Sequence, residues 1–178
     1  GLINRYLSAV APRILDAGGF VCQYLGDGIM ALFPGNSDSS VDGAIAMQHA
    51  IKALDKEIAS ETFDLKLGIG VHYGHLELGV VGEEYRWDSS IIADAVNTAS
   101  RVEGLTKSFG AEILVTDAVI NTLENKSKFR YRRLGKVRVK GRSKKVSLYE
   151  ILDSLSGETL DKRFSTRDLF ESALSAYE

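Results

Sequence analysis

Three groups of residues have types and spacings that suit chemistry. Gly26-Asp27-Gly28 is a dense turn signal between two short apolar runs at 20–25 and 29–33. It sets one carboxylate at the tip of an expected hairpin, a rigid place from which to hold a hard divalent cation. The competing reading is an Asp-Gly turn chosen for backbone reasons. Asn97 and Arg101 stand four residues apart, so on a helix an amide and a guanidinium address the same volume. Such an Arg grips phosphate oxygens, and such an Asn hydrogen-bonds a sugar or a developing charge. The alternative is a solvated helix face with Asp94 or Glu103 as local ion partners. The third group is the tract from Lys128 to Lys145, which carries ten of the 22 basic residues and no acid, leaving 12 basic against 24 acidic groups elsewhere. Within it Lys136, Arg138 and Lys140 alternate with Val137 and Val139, which predicts a strand with its charges on one face. Three readings stand: a solvated edge strand, a nucleic-acid surface, or a phosphate-binding strand. Phe129 and Tyr131 fall on the opposite face, which disfavours a stacking platform for single-stranded nucleic acid.

Other motifs exclude chemistries. In Gly68-Ile69-Gly70-Val71-His72-Tyr73-Gly74, Tyr73 stands where a dinucleotide fingerprint needs its third glycine, and no phosphate loop with a Gly-Lys-Ser/Thr ending is present. His72 reads as a strand residue with a satisfied ring, and His49 and His75 are isolated. The single Cys22 allows no internal disulfide, and no Cys/His cluster suggests zinc, so a reducing compartment is expected.

The elements that must position these groups follow from periodicity. Ile3, Tyr6, Leu7, Val10, Ile14 and Leu15 predict a helix closed by Gly18-Gly19, with Pro12 expected to kink or break it. The hairpin follows. Val41, Ala44, Ile45, Ile51, Leu54 and Ile58 predict an amphipathic helix of about five turns that covers a sheet. Residues 65–73 alternate as a strand with Gly68, Gly70, His72 and Gly74 on one face, leaving room for something packed close. A short strand at 76–81, a polar stretch at 82–90, and a helix at 91–108 come next. That helix is expected to bury Ile92, Ala95, Val96, Ala99 and Val102 and to turn Asp94, Asn97 and Arg101 outward. A strand at 113–115, a short helix at 116–123 capped by Thr116, and strands at 129–140 and 146–152 complete the order. This mixture predicts an α+β layer with a mostly antiparallel sheet. From Asp153 a polar linker is expected, then a helix at 166–178. The chain has 178 residues, 44% of them apolar, and a net charge of -2, which suits one domain plus a short appendage and neither a nucleic-acid coat nor an acidic tail. No apolar run reaches the roughly 20 residues of a membrane helix.

Taken in order, Asn4-Arg5-Tyr6-Leu7, Gln23-Tyr24-Leu25-Gly26-Asp27-Gly28-Ile29-Met30-Ala31-Leu32-Phe33, Gly68 to Gly74, Ile92 to Glu103 with Asn97 and Arg101, and Val137 to Gly141 followed by Leu148-Tyr149-Glu150 resemble a class III nucleotidyl cyclase catalytic domain of the bacterial type. The resemblance spans about residues 2–152. It implies a ferredoxin-like α+β fold, a head-to-tail homodimer with sites in the shared cleft, and conversion of ATP, or less readily GTP, to a 3',5'-cyclic nucleotide and pyrophosphate. Two divalent ions, Mg2+ or Mn2+, are implied at each site. By the same resemblance Asp27 is one of two metal-binding aspartates, Asn97 and Arg101 orient the ribose and stabilise the transition state, and Lys140 contacts the triphosphate. Gln23 and Ser90 occupy the base-selecting positions, where the family usually carries Lys or Glu and Asp or Thr. The family's first strand, with the other metal-binding aspartate, normally precedes the helix that begins near Gly1. The chain as given is therefore expected to hold one of the two aspartates and to be inactive alone, within an active parent. The resulting reading is a cyclase domain at 1–152 and a linker with a helix at 153–178. It is expected to be cytoplasmic, either by itself or as the cytoplasmic part of a larger, membrane-anchored protein, to pair with a second copy, to follow an upstream regulatory domain, to bind no nucleic acid and to carry no membrane segment in this chain. The alternatives are a catalytically silent cyclase-like module that binds nucleotide or dimerises, and a nucleic-acid-binding domain using 128–145.

Overall fold

The first helix, α1 (Leu2–Asp16), buries Val10 and Ile14 and runs through Pro12 without interruption. The expected break is absent because Ser8 and Pro12 are both exposed, so the carbonyl that Pro12 leaves without a donor faces water. Gly18, at φ +82, ends the helix: its N–H donates to Leu15 O at 2.9 Å and that of Gly19 to Ile14 O at 2.9 Å, the two-bond cap that a left-handed glycine permits. The structure, a computed structural model, describes residues 1–58, 64–83, 86–92, 94–138 and 145–178, with the backbone alone over 77–92.

Strands β1 (Phe20–Leu25) and β2 (Gly28–Leu32) form the expected antiparallel hairpin. Leu25 pairs with Gly28, so Gly26 and Asp27 are the whole loop, and Gly26 at φ +67 supplies the positive first turn residue that such a tight hairpin needs. Helix α2 (Ser37–Glu57) starts at Asn36, whose side chain accepts from the Ser39 N–H at 3.0 Å. It covers the sheet with Val41, Ala44, Met47, Ile51 and Leu54. Gln48 lies among them only 2% exposed; its amide donates to Leu67 O at 2.7 Å and Glu112 O at 3.0 Å, so the buried group is satisfied.

The central sheet has four strands in the order β3 (Ile69–Val71), β6 (Ile113–Thr116), β8 (Val146–Ile151), β7 (Tyr131–Val137). β3 runs parallel to β6, and β8 is antiparallel to both β6 and β7. Alternate residues of β6 enter two cores: Ile113 and Val115 join α1, α2 and helix α4 (Asp117–Thr122), while Leu114 joins Val102, Leu134, Val146 and Leu148. Thr116 does not cap α4 through its side chain; its hydroxyl is hydrogen-bonded to His72 Nδ1 at 2.8 Å, which satisfies that ring as expected.

Several boundaries differ from expectation, among them the strand foreseen at 65–73, which is confined to Ile69–Val71. The polar stretch at 82–90 is strand, because β4 (Glu77–Glu83) and β5 (Arg86–Ile92) pair as an antiparallel ribbon. A two-stranded ribbon needs no apolar alternation, so periodicity did not reveal it. Helix α3 (Asp94–Phe109) therefore starts later, and Ile92 belongs to β5. α3 buries Val102 as expected but also Thr98 and Thr106, whose hydroxyls donate to Asp94 O at 2.8 Å and Glu103 O at 2.7 Å and so cost little to bury. Finally, the linker expected after Asp153 contains helix α5 (Gly157–Ser165), with only Thr166 between it and α6 (Arg167–Tyr177). The assembly is α+β and mostly antiparallel, as the sequence predicts.

Candidate functional site

The position of α3 is set by two glycines of the strand segment it crosses. A Cβ on Gly70 would stand 2.5 Å from the Ala99 carbonyl oxygen and 2.7 Å from the Glu103 Cα, and one on Gly68 would meet Thr106 Oγ1. The space foreseen on that strand face is thus filled by helix backbone, and α3 lies directly against β3. On its other side Asn97 and Arg101 are exposed. Neither makes a side-chain hydrogen bond or ion pair among the described residues. The local pairing with Asp94 or Glu103 is not taken up, and the guanidinium fork and the amide are available together to an incoming ligand.

Asp27 is exposed at the hairpin tip. Gln23, four residues earlier, is exposed on β1 opposite Met30, just past a bulge at Cys22. Ser90 pairs with Gly79 in the β4–β5 ribbon; its side chain, and the whole of Lys140, lie outside the described residues. The structure therefore brings Gln23 and Asp27 together on one hairpin and Asn97 and Arg101 together on one helix face.

Two further residues, Tyr6 and Glu103, share the electrostatic surroundings of Asp27. Tyr6 of α1 is partly buried, and its phenol is held above its ordinary pKa first by burial, then by the carboxylates of Asp27 and Glu103. One ring thus feels both the hairpin tip and the middle of α3. In the sequence Tyr6 reads as a core position and Glu103 as a local ion partner, each within a motif of the resemblance but neither with a role assigned to it. Nothing in their spacing relates either to Asp27, because the proximity arises from tertiary packing.

The basic tract is not the bare charged face that alternation predicts. β7 ends at Val137, so Arg138 lies beyond the strand, and a bulge between Arg133 and Gly135 breaks the two-residue period. Gly135, at φ +124, adopts a backbone conformation that glycine alone takes readily. Of the seven cations of the tract that lie among the described residues, five are paired: Lys128 with Asp42, Arg130 with Asp153, Arg132 with Glu150, and both Arg133 and Lys136 with Glu178. β7 is a sheet edge, as one of the three readings has it, but α6 covers it.

No group of three or more His, Cys, Asp or Glu side chains that could hold a metal occurs among the described residues. Asp27 alone still fits a hard cation of the Mg2+ type, which takes one or two carboxylates and fills its remaining positions with substrate phosphates and water. Among the described residues no helix is long and apolar enough to cross a membrane.

The chain is thus an α+β layer with a carboxylate on a hairpin tip and an amide–guanidinium pair on one helix face. Residues 21–153 match the family described as the adenylate and guanylate cyclase catalytic domain, and the chain belongs to that family. It is 42% identical over 156 residues to an adenylate cyclase of Anabaena cylindrica, covering 84% of this chain and 31% of that protein. It is 36% identical over 167 residues to the terminal-differentiation-specific adenylate cyclase of Dictyostelium discoideum, covering 90% of this chain and 8% of that one. The chain thus spans less than a third of the length of these relatives. Among solved structures, the adenylyl cyclase CyaB from P. aeruginosa superposes with a TM-score of 0.72 at 25% identity, over 88% of this chain and 82% of that chain. A bacterial light-regulated adenylyl cyclase superposes with a TM-score of 0.76 at 24% identity, over 97% and 50%, a likeness of fold. The fold is that of the class III cyclases, as the resemblance implied.

Proposed function

We propose that this chain, residues 1–152 as the catalytic unit and 153–178 as its appendage, works in a nucleotidyl cyclase that converts ATP to 3',5'-cyclic AMP and pyrophosphate. The observation that carries the reading is the pair Asn97 and Arg101, exposed and without a side-chain partner among the described residues, on a helix fixed by glycine contacts. A ring closure at phosphorus needs a positioned nucleophile and offset negative charge rather than a covalent enzyme intermediate. The ribose 3'-oxygen forms a bond to the α-phosphorus, its proton passes to solvent, and the bond from the α-phosphorus to the bridging oxygen breaks to release pyrophosphate. In this reading the Asn97 amide orients the ribose, the Arg101 fork bears on the phosphoryl oxygens as charge builds, and Lys140 contacts the triphosphate. Asp27 would hold a divalent cation, Mg2+ or Mn2+, which when bound supplies positive charge to the phosphates.

Gln23 and Ser90 are the base-reading positions. A glutamine both donates and accepts, so it can pair with the edge of adenine or of guanine. ATP is preferred because the relatives with the higher identities are adenylate cyclases. The site is proposed to form between two copies arranged head to tail, with Asp27 from one facing Arg101 of the other. The exposure of Tyr24 (52%) and Leu25 (57%) beside the Asp27 turn supports a partner there. The pairing of five of the tract's seven described cations disfavours the nucleic-acid alternative.

The test is cyclic-nucleotide formation from Mn-ATP and Mn-GTP by a purified protein containing this domain. Arg101→Ala is expected to lower kcat by about 100-fold or more while leaving the fold intact. A wild-type protein that binds ATP without turnover would instead mark the silent module.

A further inference from the structure

α5 and α6 contain no buried residue, yet they are tied to the sheet by contacts of two kinds. The first is sheltered. Arg163 of α5 binds Glu150, a carboxylate 1% exposed on β8, and donates through its other terminal nitrogen to Gly110 O at 3.2 Å. Glu150 is shared with Arg132 of β7 at 2.7 Å. The second kind is outer and belongs to α6. The Glu171 carboxylate accepts from the Arg133 backbone N–H at 2.7 Å, at the β7 bulge. Glu178 receives Arg133, and Lys136 at 3.2 Å. Phe170 lies under the Arg132 guanidinium at 5.1 Å, and Leu174 is the nearest side chain over Gly135. Salt weakens the pairs of Glu178, both of whose partners keep some exposure, more than those of Glu150, which is itself 1% exposed. Thr166 ends α5 and starts α6, so α6 has a single-residue joint about which to leave while α5 stays.

We propose that α6 is a detachable brace on edge strand β7, with Glu171 and Glu178 as positioning residues, and that the docked brace raises nucleotide affinity by fixing the strand that leads in sequence to Lys140. The coupling to nucleotide rests on the proposed function; the docking does not. A strand edge with one backbone donor taken by a helix carboxylate, and two of its cations neutralised by another, has its position set by that helix. Releasing the helix frees the bulge and the end of β7. Any partner or modification that binds α6 would then act on nucleotide affinity from outside the site.

The experiment compares wild type, Glu171→Ala, Glu178→Ala and the conservative Glu171→Gln at low and high salt, each in the same purified protein containing this domain that is used for the turnover assay. Its readouts are amide exchange of a peptide covering 131–138, ATP KM and kcat, affinity for a fluorescent ATP analogue, and thermal unfolding. Faster exchange in 131–138 is expected for both alanine variants. KM and the analogue's Kd should rise about two- to fivefold, the weight of one or two exposed ion pairs, with kcat nearly unchanged. High salt should bring wild type toward the variants, and Glu171→Gln, which still accepts the Arg133 N–H, should recover most of the loss. Unchanged exchange in both alanine variants overturns the brace. Faster exchange with unchanged analogue affinity overturns its link to nucleotide. A fall in kcat that tracks the folded fraction in thermal unfolding reduces α6 to a structural part and overturns the positioning role. If wild type neither binds nor cyclises ATP, the proposed function and the link to nucleotide fall together, while the exchange data still decide the docking.

Discussion

Arg101 and Glu178 represent two uses of charge on this surface. The Arg101 fork is unpaired among the described residues, and a planar group with parallel donors cannot be replaced by a point charge. Arg101→Lys should therefore keep nucleotide affinity within a few-fold and lower kcat by about 100-fold, read from steady-state kinetics beside Arg101→Ala. Glu178 is committed to a structural pairing. Its carboxyl is held below the ordinary value of 4.5 first by the hydrogen bond from Arg133 and then by Lys136. A carboxyl depressed in the folded state binds protons more weakly there than in the unfolded chain, so its contribution is whole above 4.5 and is lost as pH falls through the lower folded value. The protection of amides in 131–138, measured as exchange relative to the intrinsic rate at each pH, should accordingly stay high at neutral pH and fall on acidification below the ordinary carboxylate range. Glu178→Gln should show less protection at neutral pH and a flatter profile across the acid range; a wild-type profile of protection without that acid fall would remove Glu178 from the clasp.

At the scale of elements, the contact between α3 and β3 fixes the direction in which Asn97 and Arg101 point. Gly70→Ala would put a methyl group 2.5 Å from a helix carbonyl and 2.7 Å from a Cα, and backbone on both sides cannot rotate away. The substitution should cost about 1–3 kcal/mol in urea unfolding and lower kcat beyond what loss of folded protein explains, because α3 must move to admit the methyl. Gly104→Ala, at an exposed interior position of α3 where the added Cβ meets nothing within 4 Å, is the control: it should leave kcat unchanged and raise stability by about 0.5–1 kcal/mol. The alternation of Gly68, Gly70 and Gly74 made this close approach legible in the sequence, as Gly26-Asp27-Gly28 made the hairpin legible: each has a local cause, a missing side chain or a two-residue turn. The β4–β5 ribbon and α5 were not legible. A two-stranded ribbon need not segregate apolar from polar residues, and α5, with no buried residue, is held by Arg163 reaching Glu150, a partner 13 positions away. Thr98 and Thr106 misled for a related reason, since a hydroxyl that bonds back to its own helix counts as polar in a pattern but buries like an apolar group. The convergence of Asp27 and Glu103 on Tyr6 joins three elements far apart in the chain, and pattern within one element cannot report it.

At the scale of the whole molecule, two half-sites remain. Asp27 and Gln23 share a hairpin, Asn97 and Arg101 share a helix face, and within one chain neither Asn97 nor Arg101 makes a side-chain hydrogen bond or ion pair among the described residues. If two copies complete each other, a protein damaged only at Asp27 and one damaged only at Arg101 each spoil both sites of their own homodimer. A mixed dimer holds one site with both lesions and one with none. Asp27→Asn and Arg101→Ala proteins, each nearly inert alone, should therefore recover about a quarter of wild-type turnover when co-expressed in equal amounts, since half the dimers are mixed and each of those has one good site of two. The recovered activity should grow with protein concentration if the dimer dissociates in the assay range, and it should co-purify with material carrying both affinity tags. A site contained within a single chain predicts no recovery at any ratio. That outcome would break the pairing of Asp27 with its neighbour's Arg101 and leave the family assignment standing.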